Sequence, residues 1–96
     1  MVTRDFIEKK LIRLKPLLSK KYNVERIGYF GSFSRNEQND DSDVDILVEF
    51  RKPIGWEFFD LKDLLENELG IKVDLVSEKA LKKQLRRSIL DQTQYV

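Results

Sequence analysis

The chain has 96 residues, 41% hydrophobic and 36% charged, which suits one small globular domain with strongly solvated faces. A net charge of +1 gives no global attraction to nucleic acid or to an anionic membrane. With neither Cys nor His there is no disulfide, thiol nucleophile, thiolate site, imidazole base or imidazole ligand, so zinc-hydrolase and Ser-His-Asp chemistries fall away. Any metal is expected to be hard and oxygen-bound, with magnesium the leading candidate. The opening MVTRDFIEKK does not read as a signal peptide, and no apolar run approaches membrane-spanning length, so a cytoplasmic protein is expected. No repeat, low-complexity tract or linker divides the chain, and residues 1–96 read as a single domain.

Residues 4–22 read as a helix, with Ile7, Leu11, Leu14 and Leu18 in one apolar stripe that packs a core. Thr3 is placed to cap it, and Pro16 is expected to kink or split it. Residues 24–30, VERIGYF, read as a first strand, with Val24, Arg26, Gly28 and Phe30 on one face and Glu25, Ile27 and Tyr29 on the other. Gly31-Ser32 follows as a turn, then a polar segment from Ser34 to Ser42 whose start is expected to form a short helix.

Residues 43–50 read as a second strand. Val44, Ile46, Val48 and Phe50 share one face, and Asp43, Asp45, Leu47 and Glu49 the other. Apolar residues on both faces predict a central position. A turn around Pro53 and Gly55 leads to a second helix over 56–69, striped by Phe58, Leu61, Leu65 and Leu69 and ended by Gly70. Residues 71–76 read as a third strand with Asp74 in its middle. Ser77 is placed to cap a last helix over 78–90, striped by Leu81, Leu85 and Ile89, and Asp91 to Val96 is a short tail. The elements predict an α/β (α+β) fold, one small mixed β-sheet with helices mainly on one face.

Asp43 and Asp45 are two apart on a strand, so both carboxylates point the same way, about 7 Å apart. Like charges on a stiff element repel unless a cation or a donor lies between them. Nine Asp residues produce a D-x-D pair about once by chance, so the pair alone is weak. Its context is stronger. A third carboxylate, Asp74, stands between Val73 and Leu75, where an unpartnered charge is costly. A Gly-Ser turn, common in itself, lets a backbone approach a phosphate closely. Three aspartates beside such a turn could hold one or two magnesium ions on a triphosphate, with the third carboxylate accepting the proton of an attacking hydroxyl.

GSFSR (31–35) followed by SDVDILVEF (42–50) and the later VDLV resembles the signature of the DNA polymerase β-like nucleotidyltransferase superfamily. It is most similar to its minimal nucleotidyltransferases, the MNT group, and the resemblance covers most of the chain. It implies a polymerase β-like nucleotidyltransferase core. Asp43, Asp45 and Asp74 become catalytic metal ligands, and Gly31 and Ser32 contact the nucleotide phosphates. Arg35 either steadies the loop or reaches a phosphate. Ser34 stands where the group usually has Ala, and Asn36 where it usually has Gly.

The resemblance further implies an antitoxin that transfers AMP from ATP, with Mg2+, to a hydroxyl of a partner HEPN toxin, a tyrosine in the characterised mode. A hetero-oligomer with that toxin is then expected, with no direct nucleic-acid or membrane partner. Two rival readings are a non-catalytic module that neutralises its partner by contact and a nucleotidyltransferase acting on a small molecule. The basic last helix (Lys79, Lys82, Lys83, Arg86, Arg87) reads first as a solvated face and second as a contact for phosphates or an acidic partner. Trp56 and Phe59 fall off the second helix's stripe and could form a partner surface. Tyr29 and Tyr95 read as structural before self-modified.

Overall fold

In the computed structural model, which describes residues 2–96, Thr3 lies in extended backbone and its hydroxyl accepts from the Phe6 N–H at 3.1 Å. That bond opens α1 (Arg4–Tyr22), and Asn23, at φ +58°, closes it. Ile7, Leu11, Leu14 and Leu18 are all buried, as their spacing requires. Pro16 does not split the helix. It lies on the exposed side, where water can take up the carbonyl that its missing N–H leaves free.

β1 (Val24–Phe30) pairs antiparallel with β2 (Val44–Phe50). The register shifts between Val24 and Arg26, so Glu25 is an extra residue. This bulge changes the face assignment read by strict alternation: Val24 joins Ile27 and Tyr29 in the core. α2 (Glu57–Leu69) ends at Gly70 and returns the chain to β3 (Val73–Ser77), which pairs parallel with β2. With Gln94–Tyr95 as β4, the strand order is β3-β2-β1-β4, so β2 is central, as its two apolar faces predict.

α1 and α2 cover one face. Their stripes meet Val44, Ile46, Val48, Val73 and Leu75 in one apolar cluster. At its margin the buried Tyr29 donates its hydroxyl to Glu8 at 2.5 Å and accepts from Arg4 Nε at 3.2 Å. Burial removes Tyr29 from consideration as a self-modified residue.

Two C-terminal elements differ from the sequence reading. The last helix is broken: a single 3-10 turn, Glu78–Ala80, precedes α3 (Lys83–Gln92). Ser77 makes no side-chain cap, no residue of α3 is buried, and Leu85 is 53% exposed, so the stripe is not a core stripe. The tail is not loose either. Gln94–Tyr95 forms β4, antiparallel to β1, and Val96 N–H donates to Ile27 O at 3.0 Å. Gly28 makes this approach possible, since a Cβ there would lie 2.5 Å from Gln94 O. Tyr95 stacks under Arg26, with the guanidinium carbon 3.8 Å from its ring, and donates its hydroxyl to Glu49 at 3.3 Å. Among the described residues no helix is long and apolar enough to cross a membrane.

Candidate active site

The site lies on the face of the sheet away from α1 and α2. Its first part is the turn after β1. Gly31 adopts φ +71°, and its carbonyl accepts from Ser34 N–H at 3.1 Å, Arg35 N–H at 3.2 Å and Ser34 Oγ at 2.8 Å. Buried Phe33 pins the turn to the core. The expected short helix stops at this one turn, because Asn36 goes to φ +56° and leaves the right-handed region. The remaining loop is held by Asn39, whose side chain accepts from Asp41 N–H at 2.8 Å while its own N–H donates to Ser42 Oγ at 2.9 Å.

The second part is the strand register. Asp45 is the partner of Phe30 across β1–β2 and of Asp74 across β2–β3. Val73 and Leu75 turn into the core, so Asp74 turns out, exposed on an edge strand rather than buried amid it. Asp43 is exposed just before β2, and Asp45 is half-buried. Gly31 touches this group directly, since a Cβ there would overlap Asp45 Oδ2 and sit 3.1 Å from its Cγ.

The electrostatics follow from the placement. Burial, then the charge of Asp74 and its hydrogen bond, then the charge of Asp43 push the Asp45 carboxyl up to about 6, against a downward pull from Arg35. Among the described residues no group of three or more His, Cys, Asp or Glu is arranged so that it could hold a metal ion. The donor set nonetheless fits a hard divalent cation: every candidate ligand is a carboxylate, and the crowding at Asp45 is what such an ion would relieve.

Arg35 donates from Nε to Glu37 at 2.7 Å and from Nη1 to Gln92 Oε1 at 2.9 Å. The same Gln92 oxygen accepts from Gly31 N–H at 3.0 Å. Gln92 is therefore part of the site, and the sequence reading missed it, since a single Gln in the last turn of a helix carries no signal. Arg35 and Gln92 border an open groove of about 660 Å³, shared with Arg87 and Ser88. A separate cavity of about 300 Å³ at the far end of β2, lined by Phe50, Ile54 and Phe58, contains none of the three aspartates. The basic helix is a solvated face: Lys79, Lys82, Lys83 and Arg87 are exposed, and Arg86 is paired with Glu78. Trp56 and Phe59 are exposed and lie 6.0 Å apart, while Phe58 packs edge-on to Phe50 at 6.4 Å.

Residues 11–96 match the family described as nucleotidyltransferase domain. The chain is 41% identical over 97 residues to protein adenylyltransferase MntA of Thermococcus cleftensis, covering 100% of this chain and 98% of that one. It is 46% identical over 98 residues to a Methanocaldococcus jannaschii protein provisionally given the name protein adenylyltransferase, covering 100% of both. A solved structure provisionally described as a minimal nucleotidyltransferase superposes with a TM-score of 0.84 at 31% identity, over 96% of this chain and 94% of that one. A toxin–antitoxin crystal structure with AMP-PNP superposes with a TM-score of 0.76 at 28% identity, over 92% and 70%. The site's aspartates and Gly-Ser turn thus sit in a fold shared along nearly the whole chain, and the chain belongs to the nucleotidyltransferase domain family.

Proposed function

We propose that this chain transfers AMP from ATP to a tyrosine hydroxyl of a partner HEPN toxin, with Mg2+, and so acts as its antitoxin. The observation that supports this most is the register that sets Asp45 beside Asp74, with Gly31 against the Asp45 carboxylate. Relatives named protein adenylyltransferases, and a toxin–antitoxin neighbour holding AMP-PNP, agree with the reading.

In this reading Asp43, Asp45 and Asp74 hold one or two magnesium ions, which supply positive charge against the triphosphate. Gly31 and Ser32 contact the phosphates, and Arg35 adds a guanidinium beside them. The acceptor oxygen attacks the α-phosphorus, forming a new P–O bond. The bond to the α,β-bridging oxygen breaks, and pyrophosphate leaves with that electron pair. Asp74 takes the hydroxyl proton. Its exposure on an edge strand leaves it open to a hydroxyl presented by another protein.

The test combines the chain, its cognate toxin, ATP and magnesium, and follows the toxin by intact mass and peptide mapping. One or more AMP additions on tyrosine are expected, and Asp43→Asn and Asp45→Asn should abolish them. No addition with the wild type, or additions that survive both substitutions, would show the proposal to be wrong.

A further inference from the structure

Two donors of different origin converge on one oxygen in this site. Gly31 N–H, at the end of β1, and Arg35 Nη1, four residues later, both donate to Gln92 Oε1, at 3.0 and 2.9 Å. A backbone amide and a guanidinium aimed at a single acceptor form the kind of fork that recognises a phosphate oxygen. The acceptor in it belongs to the chain's own α3. We propose that Gln92 is an internal occupant of the phosphate subsite made by Gly31 and Arg35, and that a phosphate oxygen of the nucleotide displaces it. The inference rests on the nucleotidyl-transfer reading and adds a residue that competes with the substrate.

The surroundings allow the exchange. The Gln92 side chain is held on its other side only by a long hydrogen bond from Nε2 to Ser88 O, 3.3 Å. No residue of α3 is buried, so no packed layer resists its rotation. The backbone beside it is fixed: Thr93 is buried, its hydroxyl donates to Ile89 O at 2.6 Å, and β4 follows. Displacement therefore needs side-chain torsions alone. Arg35 keeps its orientation meanwhile, because Glu37 holds its Nε at 2.7 Å. The fork also borders the carboxylates, since Gly31 lies against Asp45. A neutral carboxamide oxygen accepts from such donors more weakly than a charged phosphate oxygen, so the exchange runs toward the nucleotide.

A supporting role and a competing role predict opposite signs, which makes the test decisive. Calorimetric titration with AMP-PNP and magnesium, and separately with inorganic triphosphate, is run on wild type, Gln92→Ala and Gln92→Glu. Removing the competitor in Gln92→Ala is expected to tighten binding by about fivefold to a hundredfold, the worth of the two hydrogen bonds that Gln92 accepts. Gln92→Glu places a charged oxygen in the fork and is expected to weaken binding by about tenfold or more. Wild-type Gly31 should show a shifted amide resonance on adding triphosphate. Weaker or unchanged binding in Gln92→Ala overturns the proposal, as does unchanged binding in Gln92→Glu. If wild type binds AMP-PNP and both substitutions are silent, only this inference falls. If wild type binds neither probe, the nucleotidyl-transfer reading fails and takes this inference with it.

Discussion

Replacing Asp45 with Asn is expected to stabilise the protein at neutral pH. The wild-type carboxyl is raised from 3.8 to about 6, first by burial and then by Asp74 and Asp43. Between those two values the folded chain holds a proton that the unfolded chain has released. Stability contributed by this group therefore falls as pH rises through that window, and the cost is complete above about 6. The interval corresponds to at most about 3 kcal/mol. Asp45 is only half-buried, and solvent screening brings the figure to about 1 kcal/mol. Urea melts of wild type and Asp45→Asn, in EDTA, should differ little near pH 4 and by about 1 kcal/mol near pH 7.5, with the variant more stable. A carboxyl-carbon NMR titration should place the Asp45 midpoint near 6, and Asp74→Asn should lower it by about one pH unit. A variant no more stable than wild type at pH 7.5, or an Asp45 midpoint near 4, would refute the argument that these carboxylates crowd one another.

Three further outcomes are expected. Gly31→Ala drives a methyl into the Asp45 carboxylate at a positive-φ position; it should cost about 1–3 kcal/mol in thermal melts and at least about 100-fold in adduct formation. Tyr29→Phe removes the hydroxyl between Glu8 and Arg4 and should cost about 1–2 kcal/mol in denaturant melts, with the apolar core unchanged. Magnesium should lower the Asp45 midpoint below about 6 in the same NMR titration, and a titration indifferent to the ion would argue against these carboxylates as its ligands.

The parts of the fold that sequence periodicity could reach are those with long, regular stripes. Ile7, Leu11, Leu14 and Leu18 in α1 and Leu61, Leu65 and Leu69 in α2 are buried as their spacing requires. The misses lie where a single residue breaks a period. An extra residue at Glu25 returns Val24 to the core, which alternation alone assigns to the other face. β4 is two residues long, too short for any pattern, and its pairing depends on Gly28 having no side chain. The stripe of α3 has the right spacing but none of its residues is buried, and spacing does not report whether a partner layer exists. Within the site, the nearness of Asp43 to Asp45 follows from their two-residue spacing, although Asp43 stands just before β2. That Asp74 faces Asp45 depends on strand order and register, which only the assembled sheet fixes. Gln92 reaches Gly31 across 61 positions, a contact with no local trace.

The parallel pairing of β3 with β2 ties the core and the site to a single alignment. Val73 and Leu75 fill the core only when Asp74 stands level with Asp45. A one-residue insertion or deletion inside Val73–Ser77 would turn Asp74 inward and its neighbours outward together. Unless a bulge absorbs it, as one does at Glu25 in β1, such a change removes fold and activity at once. Lineages descending from this sequence should therefore vary in length within the exposed 39–41 segment of the loop and keep strict length in β3, whatever becomes of their catalytic residues.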